Sequence, residues 1–206
     1  EHDIKEIELS ADASGNVSIT AADVNDGSSD ACGIDTYAID KEDFTCADLG
    51  ANTVTLTVTD VNGNSATATA TVTVVDAINP TITAPAAITV NADAGSCDAA
   101  ASGVALGAPV TADNCSVASV VNDAPTTYAL GANTVTWTVT DGSGNTATAT
   151  QIVTVVDSED PVITAPADIT VNADAGSCDA AASGVTLGNA TTSDNCSVSS
   201  TTNDAP

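Results

Sequence analysis

Leu49–Asp76 reads LGANTVTLTVTDVNGNSATATATVTVVD, and Leu130–Asp157 reads LGANTVTWTVTDGSGNTATATQIVTVVD. Val54, Leu56 and Val58 alternate with threonine, as do Val135, Trp137 and Val139. That period of two belongs to a strand with one buried face. Val72 and Val74 resume the alternation after Asp-x-x-Gly-Asn (Asp60 to Asn64, and again Asp141 to Asn145). Glycine and asparagine tolerate positive φ, so each stretch reads as two strands joined by a tight hairpin. Helical periodicity and capping boxes are absent from this reading.

The same offset of 81 extends beyond the hairpin. Residues 80–125 and 161–206 align without a gap and agree at 36 of 46 positions, so repetition is deliberate in this sequence. Ile7, Ile88 and Ile169 fall in one column, whereas residues 1–46 match more loosely. A period near 80 is too long for a solenoid turn and fits a string of small domains. The expected boundaries are 1–78, 79–159 and 160–206, the last being the first part of a third unit. In the second unit strands are expected near 81–84, 87–91, 98–104, 109–112, 117–121, 126–129, 133–140 and 146–156. The fold class is therefore all-β: tandem antiparallel sandwiches of about seven strands, strung as a rod.

Composition narrows the function. Two Lys+Arg face 28 Asp+Glu in 206 residues, a formal net charge of −26. Such a surface repels nucleic-acid phosphate and anionic membranes, and no apolar run is long enough for a spanning helix. One histidine (His2), no arginine and two lysines leave few groups for acid–base work, so the chain is read as no enzyme. A Ser/His/Asp triad would need His2 from the terminus, and carboxylate pairs for glycoside hydrolysis need a cleft that short sandwich loops do not build. Trp137 replaces Leu56 on an alternating strand and reads as core. With no visible signal peptide and no initial Met, the chain reads as an internal or processed piece. Asn16, Asn114, Asn189 and Asn195 head N-x-Ser/Thr sequons, two with a cysteine in the middle.

Six cysteines, Cys32, Cys46, Cys97, Cys115, Cys178 and Cys196, occur without a C-x-x-C knuckle, which favours disulfides outside the cytosol. About 80 residues bury only roughly 60% of their unfolded surface, so such crosslinks matter to a core this poor in aromatics.

Pro-x-Ile-Thr-Ala-Pro-Ala-x-Ile-Thr-Val, Gly-Ser-Cys, Asp-Asn-Cys-Ser-Val, Leu-Gly-x-Asn-Thr-Val-Thr, Thr-Asp-x-x-Gly-Asn and Val-Thr-Val-Val-Asp occur in this order. Together they resemble the hyalin repeat (HYR) family, immunoglobulin-like modules of extracellular, adhesion-related proteins, frequent in large bacterial surface proteins. The resemblance implies four cysteines per unit, but Ala84, Ala165, Ala68 and Ala149 stand at the outer positions. It then implies one bond per unit between the inner ones, Cys97–Cys115 and Cys178–Cys196. The first unit has Asp12 and Gly15 near the inner position and a new Cys46, giving Cys32–Cys46.

Aspartates beside Asn and Gly in turns are the hard oxygen ligands that calcium requires. With the loops oriented by those bonds, one inter-unit junction gathers Asp30, Asp76, Asn79, Asp123, Asp141 and Asn145. The next gathers Asp113, Asn114, Asp157, Glu159, Asp160 and Asp204. Converging carboxylates repel unless a divalent cation neutralises them. The plainer alternative is turn chemistry and a solubilising surface; no EF-hand loop is present.

Two functions follow. One is a structural stalk or filament of a long extracellular adhesin, whose partners are neighbouring repeats of the same or identical chains. The other is an adhesion module that itself binds a glycan or protein, for which the aromatic content of 2% provides little platform.

Overall fold

The computed structural model describes residues 4–204. The first half of the chain forms β1 (Ile7–Ser10), β2 (Asn16–Ser18), the helical turn α1 (Ala21–Val24), β3 (Ile34–Ile39), β4 (Asp43–Thr45), β5 (Gly50–Asp60) and β6 (Ser65–Val75). The second forms β7 (Thr81–Thr83), β8 (Ile88–Asn91), β9 (Asp98–Ala100), β10 (Val110–Ala112), β11 (Val117–Asn122), β12 (Thr127–Ala129), β13 (Gly131–Asp141), β14 (Thr146–Val156), β15 (Val162–Thr164) and β16 (Thr191–Ser193). The protein is all-β with immunoglobulin-like sandwich sheets.

The chain packs as two compact units. One comprises residues 4–85, 108–123 and 136–150; the other comprises 86–107, 124–135 and 151–204. The long strands β13 and β14 contribute to both.

In the first unit one sheet has the order β1-β6-β5-β3, and β2 pairs with β4. The threonine-alternating residues of β5 and β6 turn Val54, Leu56, Val72 and Val74 inward, where they meet Phe44 of β4 and Val24 of α1, all 1% exposed or less. Fully burying such side chains is worth about 1.5–3 kcal/mol each. The β5–β6 turn closes as read: Gly63 has φ +86°, its N–H reaches Asp60 O at 3.0 Å, and Asp60 N–H reaches Asn64 O at 2.9 Å. The same unit holds the pair β7–β10 and the antiparallel pairing of β11 with the end of β13, Val117 opposite Asp141. Trp137 is buried at 6% exposure.

In the second unit β8 runs beside β14, and β9 pairs with β12, placing Tyr128 opposite Ala99 with Tyr128 at 1% exposure. β15 pairs with β16. Gln151 occupies the place that Ala70 holds 81 residues earlier, and it is 1% exposed. Its Nε2 donates to Ala86 O and Leu106 O, both at 2.9 Å, so a polar side chain fills a core position by capping two carbonyls.

Three details depart from the sequence reading. The pairs β1–β6 and β8–β14 are parallel, because these early strands lie along the final strand of a hairpin rather than in a hairpin of their own. The strand expected over 98–104 stops at Ala100 and turns as a 3₁₀ segment at Ala101–Gly103. α1 begins at a capping arrangement, with Asp23 accepting from Thr20 N–H at 2.7 Å and from its hydroxyl at 2.8 Å.

Candidate metal centre

The centre lies in the first unit. Asp76 follows the last residue of β6, Asp113 follows β10, and Asp141 ends β13. One carboxylate oxygen from each lies within 4.8 Å of the others. Antiparallel pairing brings them together: the start of β11 must lie beside the end of β13, so Asp113 and Asp141 share one end of the sheet.

Hydrogen bonds fix each carboxylate and leave specific oxygens unused. Asp113 Oδ2 accepts from the N–H groups of Cys115 at 2.9 Å and Ser116 at 2.8 Å. Asp141 Oδ1 accepts from Ser143 N–H at 2.9 Å and Asn145 N–H at 2.8 Å, while Oδ2 accepts from Asn145 Nδ2 at 2.7 Å. Asp76 Oδ1 accepts from Ile78 N–H at 3.1 Å and Asn114 Nδ2 at 3.2 Å. Asp76 Oδ2, Asp113 Oδ1 and Asn114 Oδ1 are buried without a hydrogen-bond partner. Asp76 is 7% exposed and Asp141 2%.

Burial pushes the Asp141 carboxyl up, but the Asn145 side chain and the N–H groups of its own turn outweigh that and hold it below the usual carboxylate range. It therefore stays ionised beside two further carboxyl groups. Of the two lysines, Lys41 is engaged with Asp48. A cluster made only of oxygen, with three buried oxygens unsatisfied, has the chemistry of a calcium site, which takes 6–8 such ligands. Asp76, Asp113, Asp141 and Asn114 would hold the ion.

The loop that carries Asp113 is also covalently tied. Cys115 is bonded to Cys46, and Cys97 to Cys196. Cys32 and Cys178 are exposed free thiols. This corrects the expected pairs Cys32–Cys46, Cys97–Cys115 and Cys178–Cys196. The reason is register. β2 pairs Asn16 with Thr45, which sets Gly15 beside Cys46, and β9 pairs Asp98 with Ala129, which sets Cys97 at the matching place. At that place the cysteine faces an Asp-Asn-Cys turn lying one sequence repeat further on. A Cβ on Gly15 would lie 2.5 Å from Cys46 Sγ, so glycine is the residue that admits the bond.

With the pairing goes the loop orientation. Asp113 and Asn114 join Asp76, Asp141 and Asn145, and not the group expected around Asp157. Asn145 Nδ2 also donates to Asp76 O at 3.0 Å. Asp30 instead accepts from Cys32 N–H at 2.7 Å and lines a shallow cavity with Asp60 and Asn64. Asp123 Oδ1 accepts from Thr136 N–H at 2.6 Å. Asn79 is exposed.

In the second unit Asp157 accepts from Glu159 N–H at 3.0 Å, and Glu159 Oε2 accepts from Gly95 N–H at 2.9 Å. Asp160 lines a cavity with Glu159, Asp194 and Asn195. Asp204 is exposed. Asn195, the counterpart of Asn114, donates to Ser96 O at 2.7 Å, and its Oδ1 is buried without a partner. His2, invoked in the triad reading, lies outside the described residues.

No family model matches the chain, and no curated protein matches it. Among solved structures it is similar to protocadherin gamma B7 extracellular cadherin domains 1–4, at 14% identity over 82% of this chain and 54% of that one, with a TM-score of 0.33. It is also similar to human CDH23 EC21-23, at 16% identity over 71% of this chain and 54% of that one, with a TM-score of 0.34. Fibronectin(III)-like modules of Clostridium thermocellum CbhA match at 14% identity over 75% of this chain and 91% of theirs, with a TM-score of 0.29. The chain spans about half the length of the first of these. Two disulfides fit a segment that folds outside the cytosol. Among the described residues no helix is long and apolar enough to cross a membrane.

Proposed function

We propose that this segment is a structural stalk of a long extracellular adhesin or surface fibre, built from tandem domains that follow the 81-residue sequence period. Its partners are then neighbouring repeats, and its cofactor is calcium. The observation that carries this reading is the double use of one loop: residues 113–115 place Asp113 against Asp76 and bond Cys115 to Cys46. Asp76 and Cys46 belong to the preceding sequence repeat, so the same three residues tie consecutive repeats by a covalent bond and by an ion. A hinge fixed at two points transmits load, which is what a stalk must do.

Calorimetric titration with calcium chloride tests the ionic part. Wild-type protein should bind calcium, and Asp113→Asn should abolish that binding, because it removes one charge and keeps an oxygen to accept the Cys115 and Ser116 N–H groups. An ion that binds only the folded form stabilises it by about 2.7 kcal/mol at a hundredfold excess over its dissociation constant. Chelator should therefore lower the melting temperature of the wild type and leave Asp113→Asn unmoved. No binding at millimolar calcium would overturn the ion. Scattering from a longer array should show a rod, and a flexible coil would overturn the stalk.

A further inference from the structure

We propose that the Cys46–Cys115 bond and the ion at Asp76, Asp113 and Asp141 form one redox-regulated latch: calcium makes this bond harder to reduce, and reduction of the bond weakens the grip on calcium. This rests on the calcium reading of the centre and adds its regulation.

Two of the three carboxylates are fixed without help from the disulfide. Asp141 is held by the N–H groups of its own turn and by Asn145. Asp76 follows β6 and accepts from Ile78 N–H at 3.1 Å. Asp113 is placed otherwise. It lies in the short loop between β10 and β11, where its Oδ2 accepts from Cys115 N–H at 2.9 Å, so the backbone of the bonded cysteine orients the carboxylate. Asn114, between them, has its main-chain oxygen 3.5 Å from Cys46 Sγ, and its Nδ2 donates to Asp12 O at 3.2 Å. The two buried oxygens that this loop offers an ion, Asp113 Oδ1 and Asn114 Oδ1, are therefore set in place by the sulfur bridge.

Charge gives the sign of the coupling. One oxygen from each of the three carboxylates lies within 4.8 Å of the others, and like charges that close oppose the geometry that gathers them. In the calcium-free protein the bond keeps Asp113 against that repulsion, so reduction relieves it. A bound divalent cation replaces the repulsion with attraction, and reduction then loosens ligands. A coupling free energy is reciprocal: the factor by which calcium raises the resistance of the bond is the factor by which the bond raises the affinity for calcium.

The Cys97–Cys196 bond is a comparison within the same chain. All four bonded cysteines are half-buried, so access of a reductant does not separate the two bonds. Among the described residues no second group of three metal-ligating side chains is present, and beside Cys196 the Asn195 amide donates to Ser96 O at 2.7 Å. Calcium should leave that bond unmoved.

Glutathione supplies the electrons. Its thiolate attacks one sulfur of the Cys46–Cys115 bond and releases the other, which takes up a proton. A second glutathione attacks the mixed disulfide, leaving two cysteine thiols and glutathione disulfide.

The test uses the 206-residue chain with Cys32→Ser and Cys178→Ser, so that only the two bonds react. The protein is equilibrated in graded glutathione buffers with calcium chloride or with chelator, quenched and alkylated, and each bond is read by peptide mass. Circular dichroism checks that it stays folded. Calcium should raise the ratio of squared glutathione to glutathione disulfide that half-reduces Cys46–Cys115 by about tenfold, or about 30 mV for a two-electron couple. The Cys97–Cys196 midpoint should stay constant, and Asp113→Asn should remove the calcium shift. Calorimetry should show calcium affinity falling by the same factor once Cys46–Cys115 is reduced. Calcium binding with an unmoved midpoint would overturn the latch and leave the ion in place; no calcium binding in either redox state would overturn both. Equal shifts of the two bonds would also overturn it, because calcium would then be acting on the fold at large.

Discussion

Cys46 and Cys115 are 69 residues apart in the chain and 5.3 Å apart at Cα, and the residue before Cys115 donates its side-chain amide to Asp76. Crosslink and carboxylate cluster therefore share one loop. The second bond, Cys97–Cys196, starts inside the segment closed by the first, so the two closed loops overlap along the sequence.

Removing the first bond should cost stability and affinity together. Closing a loop of this length is worth about 2–4 kcal/mol, chiefly by limiting the unfolded chain. Cys46→Ser with Cys115→Ser should lower the melting temperature by roughly 5–15 °C for a chain of this size. It should also weaken calcium binding in calorimetry, because Asp113 and Asn114 lose their anchor. Undiminished affinity in the double variant would separate the bond from the site.

Gly15→Ala addresses the close approach at the same bond. Gly15 has φ +76°, and an added Cβ would meet Cys46 Sγ and Asn114 O, the latter at 2.7 Å. Left-handed backbone costs a non-glycine residue about 1–2 kcal/mol before any clash is counted. The denaturation midpoint should fall accordingly, and the fraction of protein with the Cys46–Cys115 bond should drop on mass analysis.

Gln151→Leu keeps the volume of a buried side chain and removes both of its donated hydrogen bonds. Leaving Ala86 O and Leu106 O unpaired should cost about 1–3 kcal/mol for each. Urea titration should show the loss. A neutral result would mean that the carbonyls find other donors.

Asp60 gives a pH dependence with a definite sign. The Asn64 side-chain amide, the Asn64 N–H and the Asn62 N–H hold its carboxyl below the ordinary range. A depressed folded value means that the stabilisation is complete above the unfolded value of about 3.9 and is lost as pH falls through the lower folded value. Asp60→Asn should therefore flatten the acid limb of stability below about pH 4 and leave the slope near neutrality unchanged. Urea midpoints between pH 2 and 6 decide it.

Alternation and turn chemistry by themselves determined the strands. Val54, Leu56 and Val58 can point only one way once threonine separates them, and Gly63 and Gly144 can close only a tight turn, so β5, β6, β13 and β14 lie where the sequence puts them. The acidic, oxygen-rich character of the loops was legible as well, including Asp76 and Asp141 as members of one group. Which loop joins them was not. Asp113 belongs there because β11 pairs antiparallel with β13, and that pairing is a relation between segments which no local pattern encodes. The disulfide partners depended on the same kind of relation. Gly15 and Cys46, like Cys97 and its neighbour across the strand pair, are set by register, and a cysteine on either strand of the pair reaches the same turn. Residue type and spacing fix what each segment is; only strand pairing decides which segments meet, because those contacts are made across 69 and 99 residues of chain.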